Sequence, residues 1–405
     1  MTRSGMAVVG NALAGLLLIG CAPNPATPRT TPTTTPVTAA PTTAPPAPTT
    51  TAAVVPHIPQ ITSFTASNTA APSPLTTAFR WAIADPDGDT LTCRLDVDGD
   101  GTYDITISPC DSSSTRTRTL TATGTHVSRL EVSDGTTAVT ATVNETVAVA
   151  SSDSYVVDLR MSAGMTMNQT AAFMNAAAKW ASIVKTGQPD RTVSIGANYC
   201  TTGTPAYSGV VDDLLIDAQI VPIDGAGGIL GQAGPCLVRA SNGLPLYGIM
   251  QFDSADVANL EASGQLSNTI VHEMGHILGI GTRWGSLLQG AGTSSPTFVG
   301  PAAVGSWREL GGAGDVPVEN SGGSGTRDAH WRETIFRTEL MTGYLNSSNQ
   351  LSAMTAASLA DLGYGVDLAG ADAYTLPSAL MAGVQANAIV PPLGDIVPIQ
   401  PKGTA

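Results

Sequence analysis

Charged residues are scarce in this chain. Of its 405 residues 12% are charged, and 18 basic residues stand against 32 acidic ones. The formal net charge of −14 at pH 7 argues against nucleic acid as a partner, because like charges repel. A weakly charged surface rich in Thr, Ala, Ser, Gly and Pro is instead typical of exported proteins. The length allows two or three domains.

The sequence also lacks a clear membrane span. The N-terminal apolar run, from Ala7 to Ile19, is shorter than the roughly 20 residues that a membrane-spanning helix needs. Residues 1–21 are therefore predicted to be a secretion signal. The run ends Leu-Ile-Gly-Cys21, which resembles the lipobox of bacterial lipoproteins. That resemblance implies lipidation of Cys21 and an exported protein on the cell membrane, facing the outer surface or the periplasm. An ordinary cleaved signal is the alternative.

Cysteines are few. Besides Cys21 there are four, two in each of two predicted domains, and the pairing that keeps each bridge within a domain is Cys93 with Cys110 and Cys200 with Cys236. Two disulfides imply an oxidising compartment, in agreement with export. Four buried free thiols are the alternative.

Two segments lack the apolar residues that a core needs. Residues 22–57 are almost entirely Thr, Pro and Ala, which predicts a disordered, extended linker. Residues 377–405 are rich in Pro and Ala without periodicity and are predicted to be a tail.

Residues 58–149 lack helical periodicity. Short β-prone runs separated by turn residues predict a small all-β sandwich, with strands near 61–65, 78–83, 90–95, 103–107 and 138–143. The segment Asp-Pro-Asp-Gly-Asp at 85–89 and Leu-Glu-Val-Ser-Asp-Gly at 130–135 resemble bacterial immunoglobulin-like modules of the polycystic-kidney-disease (PKD) type.

One stretch of this segment alternates aspartate with other residues. Asp96, Asp98, Asp100 and Asp104 surround a glycine turn and supply the hard oxygen ligands that Ca²⁺ prefers. The terminal Glu of an EF-hand loop is missing, because position 107 is Ile. The sequence leaves a structural calcium site and a plain Asp/Gly hairpin open as alternatives.

Residues 153–376 read as one α+β domain. The pattern predicts strands at 154–160, 191–195, 214–223 and 247–252, and a helix over 169–184 with Ala171, Phe173, Ala177, Trp180 and Ile183 facing inward. A second helix follows, and then a long irregular stretch rich in Gly and Ser to residue 326.

That second helix carries the sequence His272-Glu-Met-Gly-His276. Residues four apart stack on one helix face, so both imidazoles can bind one zinc ion while Glu273 reaches a water on it. Leu266, Ile270 and later apolar residues recur at helical spacing. Ser267 or Asn268 is predicted to cap the start of this helix, and Gly279 to end it.

A catalytic zinc ion needs three protein ligands and one open position. The chain has five histidines, and His57 and His126 lie outside this domain, which leaves His330. A carboxylate such as Glu309 or Glu333, as in thermolysin-like enzymes, is the alternative third ligand.

His-Glu-Met-Gly-His-Ile-Leu-Gly, a much later His-Trp at 330–331 and Glu-Leu-Met-Thr at 339–342 together resemble the leishmanolysin family of metzincins. In other metzincins the third histidine follows the glycine by three residues, where this chain has Thr282. The family places an insertion there, so the resemblance implies His330 as the third ligand and Met341 as the Met-turn residue beneath the metal. The cysteines are fewer than in the protozoan enzymes, and no cysteine-bearing propeptide is evident.

The resemblance implies a multidomain protein, in which an α+β metzincin-type zinc protease domain follows the Ig-like sandwich. It would be a surface-anchored zinc endopeptidase that acts on proteins or peptides, with Glu273 as the general base. Tyr344, near the Met-turn, either donates a hydrogen bond to the oxyanion or merely packs there. A zinc-binding adhesin without turnover is the rival from another class.

Overall fold

We describe the fold from a computed structural model, which describes residues 57–227, 229–323, 325–346, 348–377 and 401–405. The predicted signal, Cys21 and nearly all of the predicted linker lie outside the described residues, as does most of the predicted tail. Within the described part, no helix has both the length and the apolar character that crossing a membrane requires.

The first part of the described chain is built from strands alone. These are β1 (Gln60–Ala66), β2 (Ala70–Pro72), β3 (Leu75–Ala84), β4 (Thr92–Asp96), β5 (Ile105–Ile107), β6 (Ser113–Leu120), β7 (Gly124–Ser133) and β8 (Ala138–Ala148). One sheet has the order β1-β3-β6 and the other β2-β8-β7-β4-β5. Alternate apolar residues such as Phe79 and Leu130 point between them and form a core of their own. Residues 60–148 therefore form an all-β module.

The second part begins with a sheet and the helices packed on it. Its elements are β9 (Val157–Met161), α1 (Met167–Ile183), β10 (Arg191–Ile195), β11 (Tyr207–Val211), β12 (Leu214–Val221), β13 (Gly231–Val238), β14 (Pro245–Asp253), α2 (Val257–Ala262) and α3 (Leu266–Leu278). The order is β13-β14-β12-β9, with β12 parallel to both of its neighbours and β13 antiparallel to β14. β14 is buried along its whole length, as expected of a central strand covered on both faces.

The first helix differs slightly from its prediction. α1 begins at Met167, because Thr166 and Gln169 form a reciprocal capping box. Phe173, Trp180 and Ile183 are buried as predicted, whereas Ala172 and Ala176 take the inward places assigned to Ala171 and Ala177. The buried face of α1 is thus rotated slightly from the predicted one.

The stretch predicted to be irregular contains a helix. Between 280 and 326 lie β15 (Leu288–Gln289), β16 (Thr297–Phe298), α4 (Pro301–Glu309) and β17 (Val316–Pro317), and α5 (Glu333–Phe336) and α6 (Ala353–Leu362) follow. The prediction was wrong for α4, where Pro301 occupies the first turn and Ala303, Val304 and Trp307 are buried. Finally, β18 (Gly403–Thr404) in the predicted tail pairs with β13.

Both disulfide bonds have the predicted pairing. Cys93 of β4 is bonded to Cys110 just beyond β5, and Cys200 is bonded to Cys236 of β13. Each bridge stays within its own part of the chain.

Asp361 of α6 fixes the start of α4. Its two carboxylate oxygens accept hydrogen bonds from the backbone N–H groups of Ala302 (2.8 Å) and Ala303 (2.9 Å). Burial raises the pKa of Asp361 to about 7, against the effect of these two donors.

This shift predicts a pH dependence of stability. An aspartate whose pKa is raised in the folded state holds its proton there between about pH 4 and 7 while the unfolded chain releases it, so its contribution to stability is lost as the pH rises through this range. Asp361→Asn cannot titrate and keeps one acceptor oxygen. We expect the free energy of unfolding of the Asn variant, relative to wild type, to rise from pH 4 to pH 7 in urea titrations. A constant difference would contradict this assignment.

Candidate metal centre

The helix α3 places two histidines on one face. His272 and His276 lie one turn apart and are completely buried, with Ile270, Met274 and Ile277 on the apolar side against the sheet. Gly279, with a φ of 117°, ends the helix as predicted. The predicted N-cap was wrong: Gln265 holds that position without a side-chain cap, because Ser267 and Asn268 already lie inside the first turn.

A close backbone approach brings His330 to this helix. Gly281 has a φ of +73°, and a Cβ atom there would overlap the carbonyl oxygen of Ala329. Glycine therefore allows the chain that leaves α3 to touch the segment next to His330. The Nε2 atoms of His272 and His276 are 3.0 Å apart, and His330 Nε2 lies 3.1 Å from the first and 3.0 Å from the second.

The hydrogen bonds of the three Nδ1 atoms, which point away from the centre of the group, show which nitrogen of each ring carries the proton. Nδ1 of His272 donates to the Leu340 carbonyl (2.7 Å), Nδ1 of His276 to that of Ile280 (2.8 Å), and Nδ1 of His330 to that of Thr326 (2.9 Å). Because a carbonyl can only accept, each proton sits on Nδ1 and each Nε2 presents a lone pair. Burial lowers the pKa of His272 to about 3 and that of His276 to about 4, and it lowers the pKa of His330 well below its usual range.

Three unprotonated nitrogens so close together fit one metal ion. A point about 2.0–2.1 Å from all three, the usual zinc–nitrogen distance, exists for a triangle of this size. Backbone carbonyls on the outer nitrogens are the usual partners of metal-binding histidines. The ligand atoms of these three residues lie within 4.8 Å of one another, and no carboxylate in the described part of the chain joins that group.

Glu273 follows His272 directly in α3 and is buried without a partner among the described residues. It is 0% exposed, and neither of its oxygens has a hydrogen bond to the described residues. Burial raises the pKa of Glu273 to about 8. An isolated buried carboxyl is costly, so this position is one that a cation and a water molecule would satisfy.

Met341 packs beneath the motif helix. A Cβ atom on Gly275 would lie 2.9 Å from its Sδ, so the absence of a side chain on Gly275 lets the methionine approach between the two motif histidines. The residue before it, Leu340, supplies the carbonyl that orients His272. The structure thus brings His272, His276, His330 and Met341 together.

Sequence reasoning missed the role of Glu339. This buried carboxylate accepts from the Met341 N–H (2.6 Å), the Ser352 N–H (3.1 Å) and the Ser352 hydroxyl (2.7 Å), and also from the Thr355 hydroxyl. It therefore joins the Met341 turn to the start of α6. A glutamate two residues before the Met-turn methionine, with Ser and Thr residues further on, was the available signal.

The remaining candidates lie elsewhere. Glu309 accepts from the Thr117 N–H (3.2 Å), and neither it nor Glu333 belongs to the histidine group. Thr282 donates to the carbonyl of His276 (2.6 Å). Tyr344 is half-buried, and burial together with the nearby charge of Glu319 raises its pKa.

In the sandwich, Asp96, Asp98 and Asp104 lie close together, whereas Asp100 is outside their group. Asp96 accepts from the N–H groups of Gly99 (2.8 Å) and Gly101 (3.1 Å), and Asp104 accepts from Val97 (2.7 Å). These are the bonds of an Asp/Gly hairpin, and nothing in the geometry further supports calcium.

Three buried histidines around one point, two of them on a His-Glu-x-x-His helix, form one set of candidate metal ligands. The family model for leishmanolysin matches residues 184–385, about half of the chain and all of this site. A curated relative, the leishmanolysin homolog of Crithidia fasciculata, is 28% identical over 149 residues, which are 34% of this chain and 22% of that protein. Residues 184–385 are thus leishmanolysin-like.

One solved structure shows a weak similarity to the chain. The PKD domain of an M14-like peptidase from Thermoplasmatales archaeon SCGC AB-540-F20 is 25% identical and covers 23% of this chain and 97% of its own, with a TM-score of 0.21.

Replacement of Glu339 tests its link to the Met341 turn. In Glu339→Gln, an amide nitrogen faces either the Met341 N–H or the donors of Ser352 and Thr355, so we expect a loss of about 2 kcal/mol in the free energy of unfolding. Glu261→Gln, at an exposed glutamate, is the matched control and should change stability by less than about 0.5 kcal/mol. Equal urea midpoints for both variants would show that Glu339 does not hold this turn.

Proposed function

We propose that this protein is a zinc-dependent endopeptidase that cleaves proteins or peptides. The observation that carries the proposal is the set of three unprotonated imidazole nitrogens, 3.0–3.1 Å apart, beside the unpartnered carboxyl of Glu273. The leishmanolysin family supports a metallopeptidase. Because the matched segment is 22% of the curated relative, the substrate class is part of the proposal.

In this proposal His272, His276 and His330 hold the zinc ion. All three rings are neutral and oriented by backbone carbonyls, so binding requires neither deprotonation nor rotation of a ring. When bound, zinc supplies a Lewis acid that makes water more acidic and polarises a peptide carbonyl.

Glu273 is the general base. Its carboxylate has no competing hydrogen bond among the described residues, so it is free to take the proton of the attacking water and to pass it to the leaving amine. Met341 contributes packing beneath the helix rather than a ligand. Tyr344 stays a candidate hydrogen-bond donor to the oxyanion, with packing as the alternative.

We further propose a metzincin-type arrangement for residues 153–376 and a PKD-like module for residues 58–149. The chain would be exported through the signal at 1–21 and anchored by a lipid on Cys21, with residues 22–57 as the linker. These proposals rest on the sequence, with the two disulfide bonds as support for an oxidising compartment.

Two substitutions separate the ligand from the base. His330→Ala should lose bound zinc and peptidase activity together, because two imidazoles hold zinc far more weakly than three. Glu273→Gln keeps the ligands and the side-chain volume but cannot accept the proton, so zinc should stay while turnover falls by at least ~10²-fold. His57→Ala, at an exposed histidine, is the control and should match wild type in both measurements.

Metal content after dialysis and cleavage of an unfolded protein substrate are the two readouts. If His330→Ala keeps stoichiometric zinc and activity, the ligand assignment is wrong and a carboxylate ligand becomes the better hypothesis. If wild type binds zinc and cleaves nothing, the rival binding lipoprotein is favoured.

A further inference from the structure

We propose that the β-sandwich positions the metal ligand His330, by docking on α4 and so holding the insertion that leads to this histidine. Thr117 of β6 and Gly305 of α4 would be positioning residues. The inference rests on the proposed metal site and extends it to a part of the chain that carries none of its ligands.

The contact between β6 and α4 is specific and close. The hydroxyl of Thr117 donates to the carbonyl of Ala302 (2.7 Å), and its N–H donates to Oε1 of Glu309 (3.2 Å), which also pairs with Arg118. A Cβ atom on Gly305 would overlap the Thr117 hydroxyl and lie 2.8 Å from the Thr117 nitrogen. The helix therefore lies against the strand with no room for one further carbon atom.

The sheet face on this side of the sandwich is polar and nevertheless buried. Thr76, Thr115 and Thr117 are 6%, 6% and 1% exposed. The hydroxyl of Thr76 donates to the carbonyl of Val366 (2.8 Å), beyond α6, which adds a second contact between the two parts. A threonine-lined face needs partners for its hydroxyls when it is covered, and the second part of the chain supplies them for Thr76 and Thr117.

Aromatic contacts lead from α4 to the metal site. The ring of Trp307 on α4 lies 5.1 Å from that of Phe336, which lies 6.4 Å from the ring of Trp331. Trp331 follows His330 directly, and its backbone N–H donates to the Met341 carbonyl (3.0 Å). Trp331 also stacks on Trp284 at 4.7 Å.

The helix α6 links the start of α4 to Trp331. Asp361 of α6 binds the first turn of α4, and Thr355 of α6 accepts from the indole N–H of Trp331 (2.7 Å). A shift of α4 relative to the sandwich would therefore move Trp331, both through the aromatic rings and through α6. Packed contacts of this kind transmit small shifts because protein interiors have few voids.

Two matched pairs of variants of the full chain test the proposal. Gly305→Ala adds a methyl group at the contact, whereas Gly196→Ala adds one where no described atom beyond the adjoining residues lies within 4 Å. Thr117→Val removes the hydroxyl but keeps the shape, whereas Thr117→Ser keeps the hydroxyl. Zinc affinity is measured by competition with a chromogenic chelator, and secondary structure by circular dichroism at the same temperature.

We expect Gly305→Ala and Thr117→Val to bind zinc roughly tenfold more weakly, the lower end of the loss seen when outer partners of metal ligands are removed. Gly196→Ala and Thr117→Ser should bind zinc as wild type does. The circular dichroism spectra should stay unchanged, which separates displacement of a ligand from unfolding. If Gly305→Ala does not fold, the Thr117 pair decides.

Equal zinc affinity in wild type and in both members of a folded pair would overturn the proposal and leave the sandwich as a separate module. Failure of the wild-type protein to bind zinc at all would instead contradict the proposed function. The two failures are thus distinguishable.

Discussion

The constraint on which this site depends is that three imidazole rings must converge on one point. Each ring is held by a backbone carbonyl from a different place in the chain, namely Leu340, Ile280 and Thr326. The helix α3 can form locally, but the site exists only when the segments on either side of His330 have folded around it. Gly281, Trp331 and Glu339 contribute to this geometry through their contacts with the segments around His330 and Met341.

The same arrangement is costly to the protein when no ion is present. Three lone pairs face one another at about 3 Å. The buried carboxyl of Glu273 also lacks a hydrogen bond to the described residues, which costs about 1–3 kcal/mol, and more when the group is charged. The surrounding framework must therefore be rigid enough to keep the groups in place. The carboxylate of Glu339, with its four donors, and the stacked rings of Trp284 and Trp331 provide that rigidity.

The parts that the sequence predicted are those with a local or countable signal. The motif helix follows from its apolar spacing, the two disulfides from the even distribution of cysteines, and His330 as the third histidine from the count and the family resemblance. The helix α4 was missed because it is short, begins after Gly300 and contains Gly305, a weak helix former. Its stability comes from burial against β6 and α6, which a single sequence does not reveal. The same holds for Glu339, whose donors lie on α6.

The insertion between α3 and His330 illustrates how a distant ligand can be held. Closing a loop ten times longer costs about 2 kcal/mol more in chain entropy, a modest amount, but each residue that is ordered costs a further ~1–2 kcal/mol. A Gly- and Ser-rich segment can meet that cost only by burying apolar surface. In a chain with 5% aromatic residues, three of the five tryptophans, Trp284, Trp307 and Trp331, lie between 284 and 331 and are almost completely buried. The tryptophans are therefore concentrated where this long insertion must close, and the sandwich, by covering α4, completes the burial on which that closure depends.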